Sequence, residues 1–131
     1  MAQTHKRTRT SVHLLNYHFV WITRRRKKAL VGEIAERAAA LIQEAAEGLG
    51  CEALALEVMP DHVHLFLNAS PDLAPTQLMH RIKGTTARQL RKEFPHLTRM
   101  PSMWTRSYFV STAGNVSSQT IKRYIEEQQT T

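Results

Sequence analysis

Residues 59–69 read MPDHVHLFLNA, and the fold reading starts there. From His62 to Ala69 the side chains alternate as a half-buried strand requires. Val63, Leu65 and Leu67 point to one face, and His62, His64, Phe66 and Asn68 to the other. Pro60-Asp61 forms a tight turn before it. Cys51 to Met59 on the far side of that turn reads as a second strand, so the two make a hairpin.

Working outward, Gly32 to Leu49 is predicted as a helix. Ile34, Ala38, Leu41, Ile42, Ala45 and Leu49 keep helical spacing, and Gly48 and Gly50 supply the stop. Downstream, Pro75 to Phe94 is a second helix, opened by Pro75 and closed before Pro95, with Leu78, Met79, Ile82, Ala87 and Leu90 as its stripe. Gly84 in its middle costs about 1 kcal/mol relative to Ala, which predicts a close backbone approach or a break. Val12 to Ile22, rich in β-branched and aromatic residues, is the first strand, with both faces covered. Ser107 to Thr112 is a short fourth strand, and Ser117 to Gln129 a last helix with Val116 and Ile121 as a hydrophobic staple. The order is β-α-β-β-α-β plus a helix. It predicts an α+β, ferredoxin-like (RRM-like) sandwich with an additional C-terminal helix that carries a tyrosine.

Composition fits one domain over residues 1–131, with 42% hydrophobic residues and no apolar run long enough to span a bilayer. One cysteine, Cys51, excludes an internal disulfide and a Cys-based zinc site. No signal-peptide core is present, so a cytoplasmic protein without membrane association is expected. The net charge of +7 is segregated. Residues 1–28 hold eight basic residues and no acid, residues 29–57 carry a net −5, and residues 58–131 a net +4. Basic segments around an acidic one fit a nucleic-acid partner, because Lys and Arg displace counterions from phosphates.

Two histidines at i and i+2 on a strand share a face, about 7 Å apart along the chain and within reach of one metal ion. Taken alone, such a pair is as compatible with a structural role. Tyr124 and Gln128 are i and i+4, neighbours on one face of the last helix. If that helix covers the open sheet face, a phenol and an amide oxygen approach the imidazoles. Two His plus an amide oxygen suit Mn²⁺ or another borderline divalent ion and leave positions for phosphate oxygens. A tyrosine held near a cation is a usable nucleophile. By spacing alone Tyr124 serves equally as a packing residue and Gln128 as a solvated amide. Asp61 reads first as a turn residue and His18 as a packed structural histidine.

The pattern resembles the small single-tyrosine HUH transposases of bacterial and archaeal insertion sequences, the TnpA class. MPDHVHLFL at 59–67 looks like that family's His-hydrophobic-His motif, YHFVWITRRR at 17–26 its first strand and basic loop, and KGTTARQL at 83–90 its second-helix motif. SYFVSTAGNVSSQTIKRYIEEQ at 107–128 looks like its last strand and tyrosine helix. The resemblance implies metal-dependent cleavage and transfer of single-stranded DNA through a 5′-phosphotyrosine. Tyr124 matches the nucleophile, and His62, His64 and Gln128 match ligands to Mg²⁺ or Mn²⁺. It further implies recognition of hairpins at element ends, a homodimer with active sites shared between subunits, and no nucleotide cofactor. Arg24, Arg25, Arg26, Lys27, Lys83, Arg88 and Arg91 are candidate DNA contacts on charge and location. Two other readings stand beside this one: a domesticated relative that processes chromosomal repeats, and a non-catalytic ferredoxin-like module that binds nucleic acid.

Overall fold

The computed structural model describes residues 6–7, 12–13 and 15–113. The expected last helix, with Tyr124 and Gln128, lies outside the described residues.

β1 (Asn16–Ile22), β2 (Glu52–Met59), β3 (His62–Asn68) and β4 (Phe109–Ala113) form one antiparallel sheet in the order β2-β3-β1-β4. α1 (Gly32–Gly48) joins β1 to β2, and α2 (Pro75–Glu93) joins β3 to β4. This is the α+β, ferredoxin-like order predicted above. The first strand is shorter than the predicted Val12 to Ile22. Val12–His13 pairs instead with Lys6–Arg7 in a separate two-residue ribbon, and the sheet begins at Asn16. The fourth strand starts at Phe109 rather than Ser107, because the Thr105, Arg106 and Ser107 carbonyls face the Lys83 ammonium.

Alternation decides what each face meets. Phe19 and Trp21 of β1 and Val63, Leu65 and Leu67 of β3 are buried against Ile34, Ala38, Leu41, Ile42 and Ala46 of α1 and Leu78, Met79, Ile82 and Leu90 of α2. A fully buried side chain of this size contributes roughly 1.5–3 kcal/mol, so this layer holds the sheet to the helices. α1 ends in a Schellman motif. Gly50, at φ +76°, donates its N–H to Glu47 O (3.0 Å), and Cys51 donates to Ala46 O (3.0 Å). α2 opens with Pro75, while the Ala74 N–H donates to Gln77 Oε1 at 2.8 Å. Arg37 of α1 grips Glu93 of α2 through two bonds of 2.7 and 3.0 Å.

The connection from α2 to β4 has its own role in the core. Leu97, Met100, Met103 and Trp104 are buried, and the Trp104 indole donates to the Lys83 carbonyl at 3.0 Å. Gly84 departs from expectation. α2 runs through it unbroken, and a Cβ built there meets nothing within 4 Å. Among the described residues no helix is long and apolar enough to cross a membrane.

Thr86 of α2 is fully buried, and its hydroxyl has no hydrogen-bond partner among the described residues. A buried hydroxyl without a partner carries its desolvation cost uncompensated. Thr86→Val is expected to stabilise the fold by about 1 kcal/mol, read as a higher midpoint in urea; a lower midpoint would show that the hydroxyl is bonded.

Candidate metal centre and nucleic-acid interface

Strand parity turns His62, His64 and Phe66 to the sheet face opposite the helices. In register, His62 lies between Ile22 and Met59, His64 between Val20 and Glu57, and Phe66 between His18 and Ala55. The His62 and His64 rings sit 5.0 Å apart, centroid to centroid, at 80°. His64 is only 3% exposed, whereas His62 is partly open.

Each imidazole is oriented through Nδ1. The Asp61 carboxylate lies 2.7 Å from His62 Nδ1. A carboxylate only accepts, so that nitrogen carries the proton, and in the neutral ring Nε2 is the nitrogen with the lone pair. Asp61 is fixed in turn by Arg26, whose Nε donates to its other oxygen at 3.1 Å. His62, first, and Arg26 hold the Asp61 carboxyl below its ordinary range. His64 Nδ1 lies 3.2 Å from His18 Nε2, with the two rings stacked at 10°. With the proton on His64 Nδ1, its Nε2 is also a bare donor atom. Burial, helped by His62, lowers the His64 pKa, against an upward pull from Glu57. Burial and then His64 bring His18 to about 4. Both therefore stay neutral near pH 7, as a metal ligand must be.

Two adjacent imidazoles with Nδ1 engaged and Nε2 available fit a divalent cation. Among the described residues no cluster of three or more His, Cys, Asp or Glu side chains is placed to hold one. The pair therefore supplies two donors, and further ones come from outside the described residues or from substrate and water.

Asp61 does more than shape the turn, and His18 is buried but also touches the His pair. The signal for Asp61 was its adjacency to His62. The His18–His64 contact joins positions 46 residues apart and had no local signal. Asn16 and Asn68 close the same face, Asn68 Nδ2 donating to Asn16 Oδ1 at 2.8 Å.

The basic candidates divide into two groups. Arg26 belongs to the His pair through Asp61. Arg24, Arg25, Lys83 and Arg91 line one open groove of about 1010 Å³ between α2 and the 101–108 segment. Lys27 and Arg88 are exposed and lie outside its lining. Lys83 has a structural task there. Its ammonium donates to the carbonyls of Thr105 (2.7 Å), Ser107 (3.3 Å) and Arg106 (3.4 Å), and burial lowers its pKa. Arg106, unnoticed in the sequence reading, also lines the groove.

Similarity to known proteins agrees with this geometry. The profile of the family described as IS200-like transposases matches residues 11–128. The ISDra2 transposase TnpA of Deinococcus radiodurans is 35% identical over 126 residues, covering 94% of this chain and 90% of that protein. The transposase for insertion sequence element IS200 of Salmonella typhimurium is 28% identical over 115 residues, covering 86% of this chain and 75% of that protein. A crystal structure from D. radiodurans R1, described as a candidate transposase, superposes with a TM-score of 0.78 at 38% identity, over 94% of this chain and 97% of that one. A REP-associated tyrosine transposase bound to a REP hairpin shares the fold, with a TM-score of 0.55 at 16% identity, over 91% of this chain and 67% of that one. With the match extending over nearly its whole length, the chain belongs to the IS200-like transposase family.

Proposed function

We propose that this protein cuts and rejoins single-stranded DNA at hairpin-bearing ends, with Tyr124 as nucleophile beside a metal centre of His62, His64 and Gln128. The observation that carries this reading is the paired imidazoles, each oriented through Nδ1 with Nε2 left to ligate. A divalent cation held there, Mg²⁺ or Mn²⁺, supplies charge neutralisation at the scissile phosphate. The chain's own tyrosine does the covalent work. Its phenol oxygen attacks phosphorus, an Oη–P bond forms, and the P–O3′ bond breaks. The departing oxygen takes a proton and becomes a 3′-hydroxyl. Attack by a 3′-hydroxyl on the phosphotyrosine reverses the exchange, so diester bonds are conserved and no nucleotide cofactor is needed.

The other tyrosines support the choice of Tyr124. The chain has three, and Tyr17 and Tyr108 pack against the helix-side core, away from the His pair. Family membership supports transposition, and the REP-associated relative bound to a hairpin supports hairpin recognition here. The remaining parts of the reading are a homodimer with shared active sites and action in the cytoplasm on nucleoid DNA.

The non-catalytic alternative needs open aromatics on the sheet, as modules of that kind stack bases there. Phe66 is instead 5% exposed and stacked against His18, with centroids 4.3 Å apart. Phe109 is the large aromatic left exposed among the described residues.

Mixing the protein with single strands from the DNA flanking its coding region and Mn²⁺ tests the proposal. The expected result is a cut strand with a free 3′-hydroxyl, and no cutting in EDTA. Binding without cutting in Mg²⁺ or Mn²⁺ would favour the non-catalytic module, and cutting undiminished in EDTA would remove the metal. Asp61→Asn is expected to loosen His62 and weaken Mn²⁺ binding about 10- to 100-fold. A calorimetric titration reads this, and an unchanged affinity would reduce Asp61 to a turn residue.

A further inference from the structure

The groove between α2 and the 101–108 segment has no part in the chemistry proposed above, yet it is shaped and charged for a ligand. None of the residues that line it is acidic, while Arg24, Arg25, Arg91 and Arg106 all do. Ala87 and Tyr108, both partly exposed, give the wall an apolar surface between these cations. Gly84 is the second, independent observation. A glycine in the interior of a 19-residue helix weakens that helix relative to alanine, and here no protein atom requires it. A Cβ at this position would meet only the open space of the groove.

One basic turn, residues 24–26, links the groove to the His pair. Arg25 and Arg26 both adopt left-handed backbone conformations, at φ +55° and +53°. The turn sends Arg24 to Ser102 Oγ (3.2 Å) on the groove side and Arg26 to Asp61 on the side of the imidazoles. A volume of about 1010 Å³ lies at the upper end of small-ligand pockets, room for a few unstacked nucleotides and too little for a duplex.

We propose that this groove holds an unstacked, single-stranded DNA segment, its phosphates on Arg24, Arg25, Arg91 and Arg106 and its path passing over Gly84. The inference rests on the reading of the substrate as DNA and adds where a single-stranded part of it lies. Alternating phosphates and flat apolar bases match a rim of arginines around an apolar wall.

Gly84→Leu is the test, read in two ways on the full-length protein. In thermal unfolding the variant is expected to melt higher than wild type, because leucine favours the helix and a Cβ at this position meets no protein atom. In fluorescence anisotropy with labelled decathymidylate at fixed salt, its affinity is expected to fall at least tenfold. Affinity for a blunt hairpin without single-stranded flanks should change less than threefold. Arg91→Gln should lower the slope of log affinity against log salt by about 0.7. Unchanged decathymidylate affinity in Gly84→Leu, or an equal loss for the blunt hairpin, overturns the proposal. So does a lower melting temperature, which would mean that the groove is filled by the chain's own residues. If wild type binds neither probe, the DNA reading itself fails; if wild type binds decathymidylate and Gly84→Leu binds it equally well, only the groove assignment fails.

Discussion

Tyr124→Phe is expected to eliminate the covalent protein–DNA product and to lower strand cleavage by at least about 10³-fold, as loss of a nucleophile does elsewhere. The substitution removes one oxygen and keeps the ring, so side-chain shape and volume change little. Affinity for single-stranded DNA should stay within about threefold, since a phenol oxygen adds little to binding dominated by phosphate contacts. Single-turnover cleavage of an end-labelled strand in Mn²⁺, with binding measured in parallel, separates the two effects. Cleavage within about tenfold of wild type would assign the attack to another group or to water.

His64→Ala is expected to reduce cleavage by about 10²- to 10³-fold and to abolish its dependence on Mn²⁺ concentration. His64 is buried between Val20 and Glu57, and its neighbour His18 is turned toward it, Nε2 to Nδ1. The variant loses a buried hydrogen bond as well, which costs about 1–3 kcal/mol. A domain stabilised by roughly 5–15 kcal/mol survives that loss, so a folded but inactive protein is the predicted phenotype. Far-UV circular dichroism verifies the fold. An active variant with wild-type metal dependence would make the pair structural.

Much of the fold was legible because its local signals agree. The alternation from Val63 to Leu67, the helical stripes of α1 and α2, Pro75 and Gly50 all point to the elements observed. The misses have physical causes. Val12–His13 has strand composition, but its ribbon partner Lys6–Arg7 carries no signal of its own. The connection through Met103 and Trp104 buries large side chains without a period, so it reads as loop until the core is seen. Shared parity of His62 and His64 was visible in sequence, whereas the His18 contact depends on which strand lies beside β3. Charge suggested Lys83 as a DNA contact; only the structure shows three carbonyls around its ammonium. Tyr124 and Gln128 were read from an i, i+4 relation and a family resemblance, and they lie outside the described residues.

The central claim is that a tyrosine of this chain becomes bonded to DNA, and mass spectrometry tests it directly. Protein is mixed with a single strand from its flanking DNA and Mn²⁺, quenched with EDTA and digested with nuclease and protease. The account predicts a nucleotide remnant on the peptide that contains Tyr124, no remnant on those with Tyr17 or Tyr108, and none anywhere in Tyr124→Phe. A remnant on another residue, or a cut strand with no remnant on any peptide, would contradict it.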